Sequence, residues 1–209
     1  WYFGFGVPLF FAVSAFSLSY GYAGRLDNAP QVRSFYLRRL FRIAPLFYLA
    51  TAVQIVAVWL VWDAFVGWAQ LLLNLTFAFN FVPRAVDGIA PASWSIGVEM
   101  VFYLVFPVFI AVARDFWRAT AVTIVLIVMA ASFREMAGAG AGATASFSQH
   151  SILFNLPYFG FGVLAYYLYT RTPQRSAWLL LGLSLAGMLI LYVSMQLLAA
   201  RIQANQALY

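Results

Sequence analysis

Residues 43–62 pass without a single charged side chain. A helix of that length, at about 1.5 Å per residue, spans the roughly 30 Å hydrocarbon core of a bilayer. Inside lipid only a helix or a closed barrel satisfies every backbone N–H and C=O. Similar apolar stretches recur along the chain, and the period-two alternation that a lumen-lining barrel strand needs is missing. Hydrophobic residues make up 65% of the 209 and charged ones 9%, against roughly 25% charged in a soluble domain. The mean hydropathy is +0.87. The expected architecture is all-α, a polytopic transmembrane helical bundle of about six or seven membrane segments, forming one domain over residues 1–209.

The first apolar segment, residues 3–22, carries Gly4, Gly6, Ser14, Ala15, Ser17, Ser19 and Gly21, small residues that let membrane helices approach closely. A polar connection over 23–33 contains Asp27-Asn28-Ala29-Pro30, read as turn chemistry. The second segment is expected over 42–62, with Pro45 in its first turn, where a missing N–H costs little. Residues 67–82 are short and weakly apolar and carry Gln70, Asn74, Thr76 and Asn80, so this segment either crosses once or re-enters the membrane from one side. Further spans are expected over 93–113, from the charged hinge 114–118 to 133, over 151–169 with Pro157 inside, and over 177–199. The intervening 134–149, with Gly138-Ala139-Gly140-Ala141-Gly142, reads as a mobile connector. The sequence starts inside an apolar segment with no signal-peptide features and ends without a tail, so a fragment at both ends is expected.

The net charge of +6 comes entirely from arginine, 12 residues against 6 Asp+Glu. Positive residues of membrane proteins concentrate in cytoplasmic loops, and no basic run here is long enough for a nucleic-acid groove. If 67–82 does not cross, Arg25, Arg33, Arg38, Arg39, Arg42, Arg114, Arg118, Arg171 and Arg175 share one side, leaving Arg84, Arg134 and Arg201 opposite. If it crosses, the division is eight against four, so the positive-inside rule leans towards the first arrangement. The absence of cysteine excludes disulfides, thiolate metal sites and cysteine nucleophiles.

Three arginines in five residues, Arg38, Arg39 and Arg42, stand directly against the second apolar stretch. On a helix they fall on one side. Such a patch serves either as an anchor to anionic headgroups or as a phosphate-binding fork, since each guanidinium pairs bidentately with phosphate oxygens. Glu99 lies about one turn into an apolar helix, where an ionisable group is costly and marks a functional site by default. Ser95 and Tyr103, four residues to either side, share its face. The bland alternative is a Glu99 near the interface, paired with an arginine or a helix N-terminus. His150, the single histidine, begins a span and reads as an interfacial residue; Asn74, Asn80 and Asn155 read as helix-to-helix hydrogen bonds. No metal-ligand cluster accompanies them.

Three stretches resemble the membrane-bound acyltransferase 3 family, which O-acetylates bacterial surface polysaccharides and related acceptors. They are Gly6-Val7-Pro8-Leu9-Phe10-Phe11-Ala12-Val13-Ser14-Ala15-Phe16, the Arg39 and Arg42 pair, which matches an Arg-x-x-Arg start of the next span, and Ser93-Trp94-Ser95-Ile96-Gly97-Val98-Glu99-Met100-Val101-Phe102-Tyr103-Leu104-Val105-Phe106-Pro107. Asn155-Leu156-Pro157-Tyr158-Phe159 is a weaker match. Pro8, Ala15, Met100 and Tyr158 depart from the family pattern, which has Asp, Gly, Glu and Glu there. Family members also carry a preceding helix with an arginine and the histidine held to be catalytic. Neither is in this sequence, so the resemblance implies a catalytically incomplete stretch from about the second to the eighth helix. It implies transfer of an acyl group, usually acetyl from acetyl-CoA, to a hydroxyl of a glycan or lipid-linked sugar, in a bacterial inner membrane. Arg39 and Arg42, with Arg38 in support, would bind the CoA phosphates, and Glu99 would support the histidine or the acceptor. From another class, a transporter or flippase for a lipid-linked sugar is consistent with the intramembrane asparagines, Glu99 and interrupted helices.

Overall fold

The computed structural model describes residues 6–137 and 143–172. The chain divides into two compact units, residues 1–167 and 168–209, and the packing that builds the site lies within the first. Among the described residues seven α-helices follow one another: α1 (Gly6–Tyr22), α2 (Ala29–Trp62), α3 (Trp68–Leu75), α4 (Ser93–Val112), α5 (Phe116–Ala137), α6 (Ala143–His150) and α7 (Ile152–Arg171). A single 3-10 turn, Ala78–Phe81, follows α3, and no strand occurs among the described residues. Among the described residues four helical stretches are long and apolar enough to cross a membrane: α2, α4, α5 and Ser146–Arg171; α1 is a shorter apolar helix. That is an all-helical integral membrane protein with fewer established spans than the six or seven expected. The last expected span, 177–199, and the glycine run 138–142 lie outside the described residues.

Two expectations about α2 are corrected. The helix begins at Ala29, thirteen residues before the apolar stretch, because Asn28 is a helix cap rather than part of a free turn. Its side-chain oxygen accepts the Gln31 N–H at 3.0 Å, the bond that N-cap asparagines supply to the open first turn, and Pro30 occupies the first turn, where no N–H is needed. Pro45 is consequently inside a 34-residue helix and not at its start. The expected connector 134–149 is also partly helical, since α5 runs on to Ala137 and α6 covers Ala143–His150.

Contacts fix the helix directions. Tyr36 donates its hydroxyl to the Leu104 carbonyl at 2.8 Å, and Phe35 stacks on Phe106 with ring centroids 5.5 Å apart. Further along α2, Ile43 and Phe47 face Ser95 and Ile96, so α2 and α4 are antiparallel. α1 runs parallel to α4, with Phe11 beside Trp94 and Ser14 beside Glu99. α7 does too, since Phe159 stacks on Phe102 at 3.9 Å and the Tyr167 hydroxyl donates to the Ala113 carbonyl. α5 returns antiparallel to α7, with Thr123 against Gly160.

Because α2 and α4 are antiparallel, the intervening residues 63–92 begin and end at the same end of the bundle. α3 has eight residues, about 12 Å of helix, and does not cross; Tyr48 in α2 ties its end by donating to the Leu75 carbonyl at 2.8 Å. One end of the bundle therefore carries Arg25, Arg33, Arg38, Arg114 and Arg118, and the other carries Arg84 and Arg134. This matches the non-crossing arrangement.

The core is aromatic and tightly apposed. Phe11, Phe35, Phe102, Phe106 and Phe159 are fully enclosed, while Leu46, Leu60, Val108 and Val125 are more than 60% exposed on the helix exteriors, as lipid-facing side chains should be. Glycine permits the closest approach. A Cβ at Gly162 in α7 would collide with the Ala12 carbonyl of α1, and one at Gly160 would lie 2.8 Å from Thr123 Oγ1 of α5. Gly162→Val is therefore expected to push α1 away from α7 and cost about 1–3 kcal/mol. Gly21→Ala, where nothing lies within 4 Å, should leave stability unchanged or raise it slightly. Thermal unfolding of both variants in detergent checks the contrast.

Candidate functional site

The sharp entry into α4 places the buried carboxyl. Ala92 caps the helix in the left-handed region (φ 62°), and Ser95 Oγ donates back to the Ala92 carbonyl at 2.9 Å. Gly97 lets the Phe79 ring lie against the first turns, since a Cβ there would be 2.6 Å from the ring. Two residues on, Glu99 is 4% exposed. Ser14 of α1 donates its hydroxyl to Glu99 Oε1 at 2.8 Å, and Tyr103, one turn further along α4, donates its hydroxyl to the same oxygen. Among the described residues nothing bonds Oε2. The carboxyl is thus held from one side and keeps one oxygen for another partner.

Arg39 joins this group through the aromatic ring. Its guanidinium carbon lies 5.6 Å from the Tyr103 ring centroid, 5.4 Å from that of Tyr22 and 6.0 Å from that of Phe35. Ring faces attract a cation electrostatically, so three rings from α1, α2 and α4 steady the arginine without neutralising it. Its Nε is buried and has no hydrogen-bond partner among the described residues. Tyr103 therefore touches the cation with its ring and the carboxyl with its hydroxyl.

The other two arginines behave differently. Arg38 and Arg42 are exposed. Arg42 lines a cleft of about 340 Å³ with Ile43, Leu46, Phe47 and, across from α2, Pro91, Ser93 and Ser95. The sequence-predicted patch is therefore divided in its surroundings, with Arg39 turned towards the Tyr22, Phe35 and Tyr103 rings and the other two exposed. The predicted face of α4 holds for Glu99 and Tyr103, whereas Ser95 bonds its own helix start and borders the Arg42 cleft.

Ser14 was legible only as a small packing residue, since no spacing rule signals a contact 85 residues away in sequence. His150 is not a plain interfacial side chain: its Nδ1 lies 2.6 Å from Asp87 Oδ1 and its ring stacks on Trp94 at 4.2 Å. Asn74, Asn80 and Asn155 bond backbone groups, and Asn80 links the 3-10 turn to the α6–α7 junction. Among the described residues no three His, Cys, Asp or Glu gather as metal ligands.

Helices of spanning length around an inward-held carboxyl and a caged arginine define an integral membrane protein with a polar centre. A family model described as an acyltransferase domain matches residues 2–207, and the chain belongs to this acyltransferase 3 family. Neither the curated proteins nor the solved structures include a match to it. Membership indicates membrane acyltransferase activity and does not favour a carrier for lipid-linked sugars.

Removing either hydroxyl that serves Glu99 should destabilise the bundle. Ser14→Ala and Tyr103→Phe are each expected to cost about 1–2 kcal/mol, and the double variant should cost other than the sum, because both bonds end on one oxygen. Denaturant titration in mixed micelles reads all three; strict additivity would show that the two bonds act independently.

Proposed function

We propose that this protein transfers an acetyl group from acetyl-CoA to a hydroxyl of a glycan or lipid-linked sugar. The observation that carries this reading is the connected unit Arg39–Tyr103–Glu99, in which an arginine with an unpartnered buried N–H is one side chain away from a carboxyl with an uncommitted oxygen. An anionic ligand answers the first need and a hydroxyl or protonated base the second. Exposed Arg38 and Arg42 extend the cationic surface along the same helix, so that several phosphate groups of CoA can be met by forked guanidiniums.

In this reading the arginines hold the donor at the cytoplasmic end, where the positive-inside rule sets them. The acceptor oxygen attacks the acyl carbon, the C–O bond forms as the C–S bond breaks, and the hydroxyl proton passes to a base and then to the leaving thiolate. Glu99 supports that step by offering Oε2 to the acceptor hydroxyl or to the base. Its Oε1 stays engaged with Ser14 and Tyr103 and keeps the carboxyl in place. Resemblance to enzymes that modify bacterial surface polysaccharides supports a location in the bacterial inner membrane.

Arg39→Ala and Arg42→Ala are each expected to weaken acetyl-CoA binding about tenfold or more, the worth of a charge-assisted hydrogen bond to phosphate. Glu99→Gln should leave that binding within about twofold while lowering acyl transfer by about two orders of magnitude. Equilibrium dialysis with labelled acetyl-CoA and transfer of label to glycan in membranes measure the two effects separately. Unchanged binding in both arginine variants would overturn the assignment of CoA.

A further inference from the structure

The end of the bundle away from Arg38 carries a second polar cluster that donor binding leaves unused. Asp87, in the loop before α4, and His150, the last residue of α6, are 63 residues apart and meet with Oδ1 and Nδ1 at 2.6 Å. The imidazole lies nearly flat on Trp94, with centroids 4.2 Å apart and planes 14° from parallel. Buried amides hold both backbones. Asn80 donates to the His150 carbonyl at 2.9 Å and accepts the Ile152 N–H at 2.8 Å. Asn155 donates to the Gln149 and Ser151 carbonyls, both at 2.9 Å. Asn74 accepts the Ile89 N–H at 3.1 Å, two residues from Asp87.

A carboxylate against Nδ1 fixes the tautomer of a neutral imidazole with its proton there and leaves Nε2 as an acceptor. Among the described residues no group bonds His150 Nε2 or Asp87 Oδ2. Both side chains reach the surface, 28% exposed for His150 and 58% for Asp87. Two neighbouring acceptors, one of them anionic, repel phosphate and carboxylate and receive two O–H donors. Trp94 supports the imidazole from behind, stacked on it on one side and packed against Phe11 of the core.

We infer that Asp87 and His150 bind adjacent hydroxyls of a saccharide at the end of the bundle where α4 begins. The class of ligand rests on the acyltransferase reading, which requires a hydroxyl acceptor; the position and the donor–acceptor pattern rest on the cluster itself.

His150 is the single histidine of the sequence, so its imidazole nitrogens give unambiguous signals when the chain is labelled with 15N-histidine and placed in lipid nanodiscs. Titration with N-acetylglucosamine or methyl glucoside is expected to move the Nε2 resonance saturably, whereas sodium acetate should not. Asp87→Asn and His150→Gln should each weaken binding of radiolabelled N-acetylglucosamine about tenfold, with circular dichroism and acetyl-CoA binding as in the unsubstituted chain. Absence of a saturable shift with either sugar, or sugar binding by both variants as tight as that of the unsubstituted chain, overturns the inference and leaves a structural tether. Sugar binding without acetyl-CoA binding upholds it and overturns the donor assignment; acetyl-CoA binding without sugar binding does the reverse.

Discussion

A bilayer offers no hydrogen bonds, and every polar group this chain brings inside must be met by the chain itself or by what it binds. Glu99 shows the rule most sharply. Its carboxyl is enclosed by α1 and α4, and two hydroxyls from those helices are committed to one of its oxygens. The same demand shapes the rest of the bundle. Tyr36, Tyr48 and Tyr167 send their hydroxyls to backbone carbonyls of other segments, and Thr120 and Thr123 bond carbonyls four residues back in their own helix.

The irregular stretch between α2 and α4 survives for the same reason. It lacks the closed hydrogen bonding of a long helix, and side chains take over: Asn74 serves the loop after it, Thr76 caps α3 at 2.8 Å, and Asn80 reaches across to α7. Phe77 and Phe79 pack on Phe47 with centroids 4.8 and 6.1 Å apart, so a segment too short to cross is anchored to one that does. The polar side chains that made this region look unlike a span are the ones that let it exist without being one.

Much of this was legible in the sequence. Charge-free stretches announced helices, and α4 was readable from Ser93 to its end because its apolar run is closed by charges at 114–118. The start of α2 was not, since its first turns are polar and amphipathic rather than apolar, and an asparagine before a proline signals a turn and a cap equally well. Glu99 and the arginine patch stood out because ionisable groups are rare here. Their relation did not: a side chain's facing depends on which neighbour its helix meets, and Arg39 differs from Arg38 and Arg42 only because Tyr22 and Tyr103 stand on its side. Ser14, Asp87 and His150 gain meaning only from partners 63 to 85 residues distant.

One unbroken helix, α2, carries the arginines and also the Phe47 that seats the loop region. Arg39 and Phe47 are eight residues apart, about 12 Å along the axis. The rod therefore works as a depth gauge: the level at which Arg39 is caged by its rings and the level at which the loop closes are separated by a fixed number of helical turns. Inserting or deleting a residue between them would shift one level against the other and rotate its side chains by about 100°, so the spacing within α2 is under the same constraint as the identity of the residues it displays.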